Sequence, residues 1–273
     1  MKVGQPIGQF FGYVYDGVYT TDDFTQNADG SYILKPGIPY DSNRKREQVK
    51  PGDMKFVPQT DTKDAEGNPT YKLSSDADRA VVGNSNPLFS GGLSNTFTYK
   101  GFDLSVFMNF SVGNRVWNLN KVRYYGPYLG NMNAFGEMAG RFTLIDPATG
   151  KETTDLARLA ELNPNQHDKN MLWSLSSYNN YSVSCPMDLF SEDASFLRLA
   201  TITLGYTLPK DLTRKAHIEG LRFYVTLNNL YTFTKYSGYD PEVSTNGSIM
   251  TKGVDSSSFP KTRGCVIGIN LNF

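Results

Sequence analysis

The residue types that most often carry out catalysis are sparse in this sequence and do not form a known catalytic pattern. The chain of 273 residues has two histidines, His167 and His217, and contains neither a Gly-x-Ser-x-Gly motif nor a glycine-rich lysine motif for phosphate. Neighbouring carboxylates such as Asp22 and Asp23 could serve a glycosidase only at a fixed separation, which no pattern here indicates. We therefore predict that the protein is not an enzyme.

Acidic residues between Gly52 and Gly67 come nearest to a metal site. Asp61, Asp64 and Glu66 lack the spacing of a calcium-binding loop, which has ligands at positions one, three and five, a glycine at six and a glutamate at twelve. We interpret this stretch as a solvated acidic turn, and we predict neither a metal nor another cofactor.

Composition narrows the class of protein without deciding it. Lysine plus arginine and aspartate plus glutamate both number 27, so no strong electric field favours nucleic acid as a partner. The two cysteines, Cys185 and Cys265, do not make a disulfide framework. No run of about 18 apolar residues occurs, so no transmembrane helix is predicted.

Alternation of apolar with small or polar residues is the strongest pattern in the chain. In the segment Arg263–Phe273, the odd-numbered residues from Cys265 onward are apolar. Side chains of a strand point to opposite faces in turn, so this segment has one apolar face. Four more segments of roughly ten residues show the same pattern, as the strands of outer-membrane barrels do: Leu93–Tyr99, Phe102–Val112, Phe196–Leu208 and Leu221–Phe233.

We therefore predict an all-β protein, an antiparallel transmembrane β-barrel portion, with a soluble β-sandwich as the alternative because its strands also alternate. In Phe196–Leu208, the apolar parity includes Ala200 and Tyr206. The side chains predicted to face lipid are Leu104, Val106, Met108, Ile202, Leu204, Val225, Leu227, Ile267, Ile269, Leu271 and Phe273. The candidates for the lumen side are Arg222, Tyr224, Thr226, Asn228 and Asn270. Aromatic residues near strand ends, where girdles are found, are Tyr99, Tyr206, Tyr231 and Phe273.

Short and long connections alternate between these strands. Lys100 and Gly101 form a two-residue turn, and Pro209–Gly220 is a polar connection of moderate length. Much longer connections cover residues 113–195 and 234–262. Outer-membrane barrels have short periplasmic turns and long extracellular loops, so a periplasmic C-terminus puts every short connection on one side.

The long connections have features of their own. Thr153–Leu162 is predicted to be a short helix with a threonine cap, ended by Asn163 and Pro164. Loop aromatics suit a surface that contacts substrate or a partner, although they could instead pack on one another. The foremost are Trp173, Tyr236 and Tyr239, and the others are Tyr124, Tyr125, Tyr128, Tyr178 and Tyr181.

Four segments together resemble the SusC/RagA family of TonB-dependent outer-membrane transporters, in its C-terminal barrel portion. These segments are Phe10–Tyr19, Gly91–Asn114, Glu192–Pro209 and Leu221–Val243. The resemblance extends in order over most of the chain, from about Gly4 to Phe273.

The resemblance implies a plugged barrel of about 22 strands in the outer membrane of a Gram-negative bacterium. Residues 1–273 would be the C-terminal part of that barrel, without signal peptide, TonB-contact segment or plug. The family imports glycan oligosaccharides, or in some cases peptides, with a SusD-like surface lipoprotein and with energy from TonB–ExbB–ExbD. Partners expected on this basis are that lipoprotein, the TonB complex, membrane lipid and the substrate.

Two other functions are compatible with the strand pattern. A self-contained outer-membrane pore or adhesin would need a signal peptide, and the first ten residues lack the apolar core of one. We therefore expect the chain to be the back part of a longer exported protein. A soluble β-rich carbohydrate-binding module would fold without detergent, whereas a barrel portion with open edges would aggregate.

Overall fold

A computed structural model describes residues 4–125, 133–175, 186–245 and 252–273. The chain divides into two compact units. We call residues 1–83 with 117–191 the loop unit, and residues 84–116 with 192–273 the sheet unit. Among the described residues, no helix has the length and apolar character to cross a membrane.

Five long strands build the sheet unit: β1 Phe89–Tyr99, β2 Phe102–Val112, β3 Phe196–Thr207, β4 Gly220–Thr234 and β5 Gly264–Asn272. They pair antiparallel in chain order, with β1 and β5 at the two edges of the described sheet. Each corresponds to one of the five segments predicted from the alternation pattern. The prediction of five antiparallel strands is therefore confirmed.

The turn between β1 and β2 has the predicted two residues. Lys100 has φ of 46° and Gly101 has φ of 87°, so both adopt the left-handed conformation. Two-residue hairpins favour this geometry because its twist matches that of the strands. Glycine adopts it without steric cost, which explains the Lys-Gly pair at this point.

Other elements are short. The remaining strands are Gln9–Gly12, Tyr15–Val18, Phe24–Gln26, Tyr32–Leu34, Tyr40–Asp41, Met54–Phe56, Thr70–Tyr71, Ala80–Asn84, Arg115–Asn118, Ile145–Asp146, Lys151–Glu152, Ser191–Asp193 and Val254–Asp255. The α-helices within the described residues are Leu119–Tyr124, Leu156–Leu162 and Lys210–Thr213.

Register across the long strands separates two faces. Leu104 of β2 pairs with Leu204 of β3, which in turn pairs with Val225 of β4, and Val225 pairs with Ile267 of β5. We call the side of these residues the apolar face and the opposite side the polar face. All the residues predicted to face lipid that lie within these strands share the apolar face, and all five lumen candidates share the polar face.

A bulge at Ala200 interrupts the alternation of β3. Phe107 of β2 pairs with Thr201, but the next residue, Met108, pairs with Leu199, so Ala200 has no counterpart. Below the bulge, Leu199 therefore lies on the apolar face and Arg198 on the polar face. Because Ala200 is an extra residue, the apolar parity predicted from Ala200 to Leu208 does not continue to the residues that precede the bulge.

The loop unit has an aromatic core of its own. Trp173 is completely buried there, and its ring lies edge-on to the rings of Tyr15, Tyr125 and Phe190. Trp173 was predicted as a contact residue for substrate or a partner, but a side chain without exposed surface cannot make such a contact. For this residue the alternative, packing among the loop aromatics, is what the structure shows.

The predicted helix in this unit is shorter than expected. It covers Leu156–Leu162, and its N-cap is Asp155, whose carboxylate accepts a hydrogen bond of 2.9 Å from the Ala157 N–H. Thr153 is not the cap: its hydroxyl accepts from the N–H of Asp155 instead. The predicted end is confirmed, because Asn163 bonds back to the Leu159 carbonyl.

Gly52 offers a test of the loop-unit packing. Gly52 and Gly37 both have φ of 82°, but only at Gly52 would an added Cβ meet a neighbour, 2.5 Å from Cδ1 of Phe142. We expect Gly52→Ala to lower the free energy of unfolding by roughly 1–3 kcal/mol more than Gly37→Ala does, which is the usual cost of overpacking. Urea unfolding followed by tryptophan fluorescence measures this, because both tryptophans of the chain, Trp117 and Trp173, lie in the loop unit. Equal losses for the two variants would contradict the contact with Phe142.

Candidate functional site

The apolar face of the sheet is a continuous exposed surface. Ile267 is 77% exposed and Phe97 is 60% exposed, although both are large hydrophobic residues. Further exposed members of this face are Leu93, Phe102, Leu204, Phe223, Val225, Tyr231, Phe233, Ile269 and Leu271. Water-exposed apolar surfaces of this extent mark contact with a partner or a membrane.

Aromatic rings border this face at both ends of the strands. Near the two-residue turn, the tilted rings of Phe102 and Tyr206 contact each other with centroids 4.4 Å apart. At the other end, Phe110 contacts Phe89, and Tyr231 contacts Phe233. Tyr99, Tyr206 and Tyr231 of the predicted girdle belong to these two rows.

The distance between the two aromatic rows is comparable with the thickness of the apolar band of an outer membrane. Phe102 and Phe110 lie eight residues apart on β2, which corresponds to about 27 Å along a strand. Strands of membrane barrels are tilted by roughly 40°, so the rows would be about 20 Å apart along the membrane normal, close to the apolar band of about 25 Å.

The polar face carries a layer of its own side chains. Arg222 of β4 donates two hydrogen bonds, of 2.9 and 2.5 Å, to the carboxylate of Asp103 on β2. Its guanidinium crosses β3 above Gly205, where an added Cβ would lie only 2.5 Å from Oδ1 of Asp103. The ring of Tyr224 likewise lies over Gly268 of β5. Glycine on one strand therefore makes room for a large side chain on the next.

Two more of the lumen candidates are bonded across β3 and β4. The hydroxyls of Thr203 and Thr226 are 2.9 Å apart, and Thr201 donates to Asn228. Asn270 of β5 pairs with Arg222 of β4. The five candidates are thus brought together on one face, and four of them are engaged with neighbouring side chains.

We call residues 235–262, apart from 246–251, the return segment. Its Tyr236 is buried with Val116, Ala194 and Val243, and the Tyr236 hydroxyl donates to Asp255 at 2.6 Å. Burial, reinforced by this bond to a carboxylate, raises the pKa of Tyr236 well above its ordinary value. Tyr236, one of the predicted contact residues, is thus a structural residue.

Arg198 holds the return segment against the polar face. Its side chain is buried, with Nη2 2.6 Å from Oδ1 of Asp240 and Nη1 3.1 Å from Oε2 of Glu242. Lys261 contacts the same Glu242 carboxylate from the exposed side. Burial alone would raise the pKa of Asp240, but hydrogen bonds from the Glu242 N–H and from Arg198 more than offset it and lower that pKa. We call these four residues the clamp.

Other predicted residues are distributed as follows. Tyr239 is 83% exposed, so it remains available for contact, and Tyr125 is buried in the loop-unit core. Asp64 organises the acidic turn, since its Oδ1 accepts hydrogen bonds from the N–H groups of Glu66 and Asn68. Three of the loop tyrosines and one cysteine lie outside the described residues: Tyr128, Tyr178, Tyr181 and Cys185.

A cavity of about 440 Å³ opens on the polar face within the sheet unit. It is lined by Ser85, Asn109 and Ser111, and by Pro241–Ser244 of the return segment. None of these residues was predicted as a site residue. One feature of the sequence could have indicated the clamp. The alternation breaks before Ile202, where Arg198 stands between two leucines.

Comparisons with known proteins agree on one class of relative, although no family model matches the chain. TonB-dependent receptor P3 of Formosa agariphila is 28% identical over 278 residues, covering 100% of this chain and 23% of the relative. TonB-dependent receptor P39 of the same organism is 27% identical, covering 100% of this chain and 26% of the relative. TonB-dependent receptor SusC of Bacteroides thetaiotaomicron is 28% identical over 184 residues, 67% of this chain and 15% of the relative.

Solved structures of similar fold include those of RagAB. The RagAB peptide transporter has a TM-score of 0.59 at 22% identity, covering 97% of this chain and 23% of that chain. The RagAB peptide importer in the 'closed-closed' state has a TM-score of 0.60 at 20% identity, covering 100% of this chain and 24% of that chain. The predicted fold class is confirmed. The chain spans about a quarter of the length of the first curated relatives that it matches.

If the clamp holds the return segment, loss of Arg198 should increase hydrogen exchange in that segment. Arg198→Met leaves two carboxylates without their buried cation, which typically costs about 3–5 kcal/mol. We therefore expect much faster hydrogen exchange in the peptide 236–243 of this variant. Lys261→Met is the matched control: it removes the exposed cation from the same Glu242, and such surface pairs contribute at most about 1 kcal/mol. Similar exchange in both variants would show that Arg198 does not hold the segment.

Proposed function

Because the resemblance of this chain to SusC/RagA-type TonB-dependent transporters is confirmed, we propose that it forms part of the barrel wall of an outer-membrane importer. On this proposal residues 1–273 are the C-terminal part of the barrel. The substrate is a glycan oligosaccharide or a peptide, and the protein has no enzymatic activity.

The observation that carries the proposal is the apolar face. It extends across all five strands, is exposed, and is bordered by aromatic rows at a spacing close to the apolar thickness of an outer membrane. Membrane lipid is the partner that matches these three properties together. A soluble carbohydrate-binding module would leave side chains such as Ile267 and Phe97 in water, so this alternative is disfavoured.

The lengths of the connections indicate which end of the sheet would face the periplasm. The turn at Lys100–Gly101 and the connection Pro209–Glu219 lie at one end of the sheet, and the return segment lies at the other. Short connections of barrels are periplasmic, so the C-terminal strand β5 would end on the periplasmic side. The long connections would then be extracellular.

Partners are proposed by similarity to the relatives. SusC and the RagAB complex support a SusD-like surface lipoprotein at the extracellular mouth. The name TonB-dependent receptor, shared by the curated relatives, supports energy supply from TonB–ExbB–ExbD. The RagAB structures are described as peptide transporters, so peptides stay beside oligosaccharides as candidate substrates.

Introducing a charge on each face of the sheet tests whether the apolar face contacts membrane lipid. Leu227 lies midway between the aromatic rows on the apolar face, and the adjacent Thr226 lies on the polar face. An arginine facing lipid at the membrane midplane costs about 2–4 kcal/mol, and near the interface about 0–1 kcal/mol. We expect Leu227→Arg to reduce assembly strongly, Ile269→Arg less, and Thr226→Arg or Asn270→Arg little.

Assembly is measured as the amount of protein in outer-membrane fractions that resists protease and shows heat-dependent gel mobility. Equal loss for Leu227→Arg and Thr226→Arg would contradict the assignment of the apolar face to lipid. The adjacent positions are a matched pair, because they share strand, depth and introduced residue.

Uptake by cells tests the transport itself. We expect a strain without the gene for this protein to lose accumulation of either labelled glycan oligosaccharides or labelled peptides, and a protonophore to have the same effect on the parent strain. The gene carrying Thr226→Arg should restore uptake, and the gene carrying Leu227→Arg should not. Unchanged accumulation of both substrate classes in the deletion strain would contradict an import function.

A further inference from the structure

A small crevice opens beside β4 at the end of the sheet where the return segment lies. The pairing of β4 with β5 ends at Asn228 and Gly264, whereas β4 itself continues to Thr234. The crevice has a volume of about 180 Å³ and lies along the part of β4 that continues past β5. We call it the edge crevice. The residues that line it include Tyr231, Thr232, Tyr239, Asp240, Lys261 and Arg263.

The edge crevice has a net positive charge that comes from Arg263. The four charges of the clamp, two cations and two carboxylates, balance one another. The Arg263 side chain is exposed, and its guanidinium forms no hydrogen bond or salt bridge with any of the described residues. A guanidinium stays protonated and presents five N–H donors in a planar fork. This cation therefore matches an anionic group that has several acceptor oxygens.

Arg263 also lies at the border of the apolar face. It directly precedes β5 and has the same odd-numbered parity as Cys265 and Ile267 of that face. Tyr231 belongs to the aromatic row of the apolar face, and Tyr239 is 83% exposed. Neither tyrosine hydroxyl has a hydrogen-bond partner among the described residues. Aromatic rings and long basic side chains are typical of the zone where the apolar part of a membrane meets the headgroups.

The size of the edge crevice indicates that it holds one group of a larger molecule. Its volume of about 180 Å³ is below the range of about 300–1,000 Å³ found for pockets that enclose whole ligands. A molecule with a small anionic group in the crevice would place its remaining part outside, on the adjoining apolar face. A membrane lipid with a phosphate group has both of these parts.

We propose that the edge crevice binds the phosphate group of an acidic lipid in the outer leaflet of the outer membrane, through Arg263 with Tyr231 and Tyr239 beside it. The guanidinium would donate two N–H bonds to the phosphate oxygens, and the acyl chains would lie on the apolar face. Free phosphate has the same oxygens but no apolar part. This inference rests on the proposed function, because the crevice meets lipid only where the apolar face lies in a membrane.

Native mass spectrometry of the purified protein in detergent tests the site. The probes are monophosphoryl lipid A and the same lipid A after removal of its phosphate, and the fraction of protein with bound lipid gives each affinity. We expect Arg263→Gln to weaken binding of the phosphorylated lipid by roughly 5–10-fold, because one cation facing an anionic headgroup is lost. Binding of the dephosphorylated lipid should not change. Arg263→Lys keeps the charge without the fork of donors, so it should lose less affinity than Arg263→Gln.

Arg214→Gln is the matched control. Arg214 is likewise an exposed arginine whose guanidinium has no partner among the described residues, but it lies in the connection Pro209–Glu219 at the opposite end of the sheet. This variant should bind monophosphoryl lipid A within about two-fold of the parent protein. Sodium phosphate should displace the lipid no more than sodium chloride of equal ionic strength does, because inorganic phosphate gains nothing from the apolar face.

Three results would overturn the site. In the first, the parent protein binds phosphorylated lipid A no more tightly than the dephosphorylated form. In the second, Arg263→Gln binds the phosphorylated form as tightly as the parent does. In the third, sodium phosphate displaces the lipid more than sodium chloride does, which would assign the crevice to a soluble anion. A protein that inserts and imports normally, but whose lipid binding does not depend on Arg263, refutes this site alone and leaves the proposed function standing.

Discussion

Hydrogen-bonded pairing with neighbouring strands fixes the side on which every residue of the sheet lies, and the rest of the sheet unit depends on that constraint. A slip of one residue would reverse all side chains of a strand. The bulge at Ala200 uses this property within a single strand. It keeps Ile202 and Leu199 on the apolar face and at the same time turns Arg198 to the polar face. Without it, a strand with Ile202 on the apolar face would turn Arg198 to that face as well and its two flanking leucines to the polar face. A lipid-facing arginine costs about 2–4 kcal/mol.

The polar face depends on the same register, because glycines on some strands make room for large side chains from their neighbours. Along one row, Asp103, Gly205, Tyr224 and Gly268 follow each other across four strands, so that large and minimal residues alternate. The glycines let Arg222 reach Asp103 over one strand and let Tyr224 lie flat over another. Glycine usually weakens a strand, so its use here indicates close approach of a neighbouring group.

Local patterns made the five strands and the Lys100–Gly101 turn predictable, because period-two alternation and turn residues act over a few positions. The bulge was not predictable, because Ala200 suits either face and the shift becomes visible only against β2. The core position of Trp173 was not predictable either. Its contact with Tyr15 joins segments that are far apart in the sequence, and its contact with Phe190 depends on how the connection folds. The sheet was thus predictable from the sequence, and the faces largely so. The clamp and the cavity were not, because they arise from contacts between distant segments.

The bulge, the clamp and the cavity depend on one another in that order. The bulge decides the side of Arg198, and Arg198 decides where Asp240 and Glu242 are held. Asp240 directly precedes Pro241–Ser244, which contains Glu242 and lines the cavity. The clamp has two cations and two carboxylates, so it balances its own charge, and one of its carboxylates, that of Glu242, also lines the cavity.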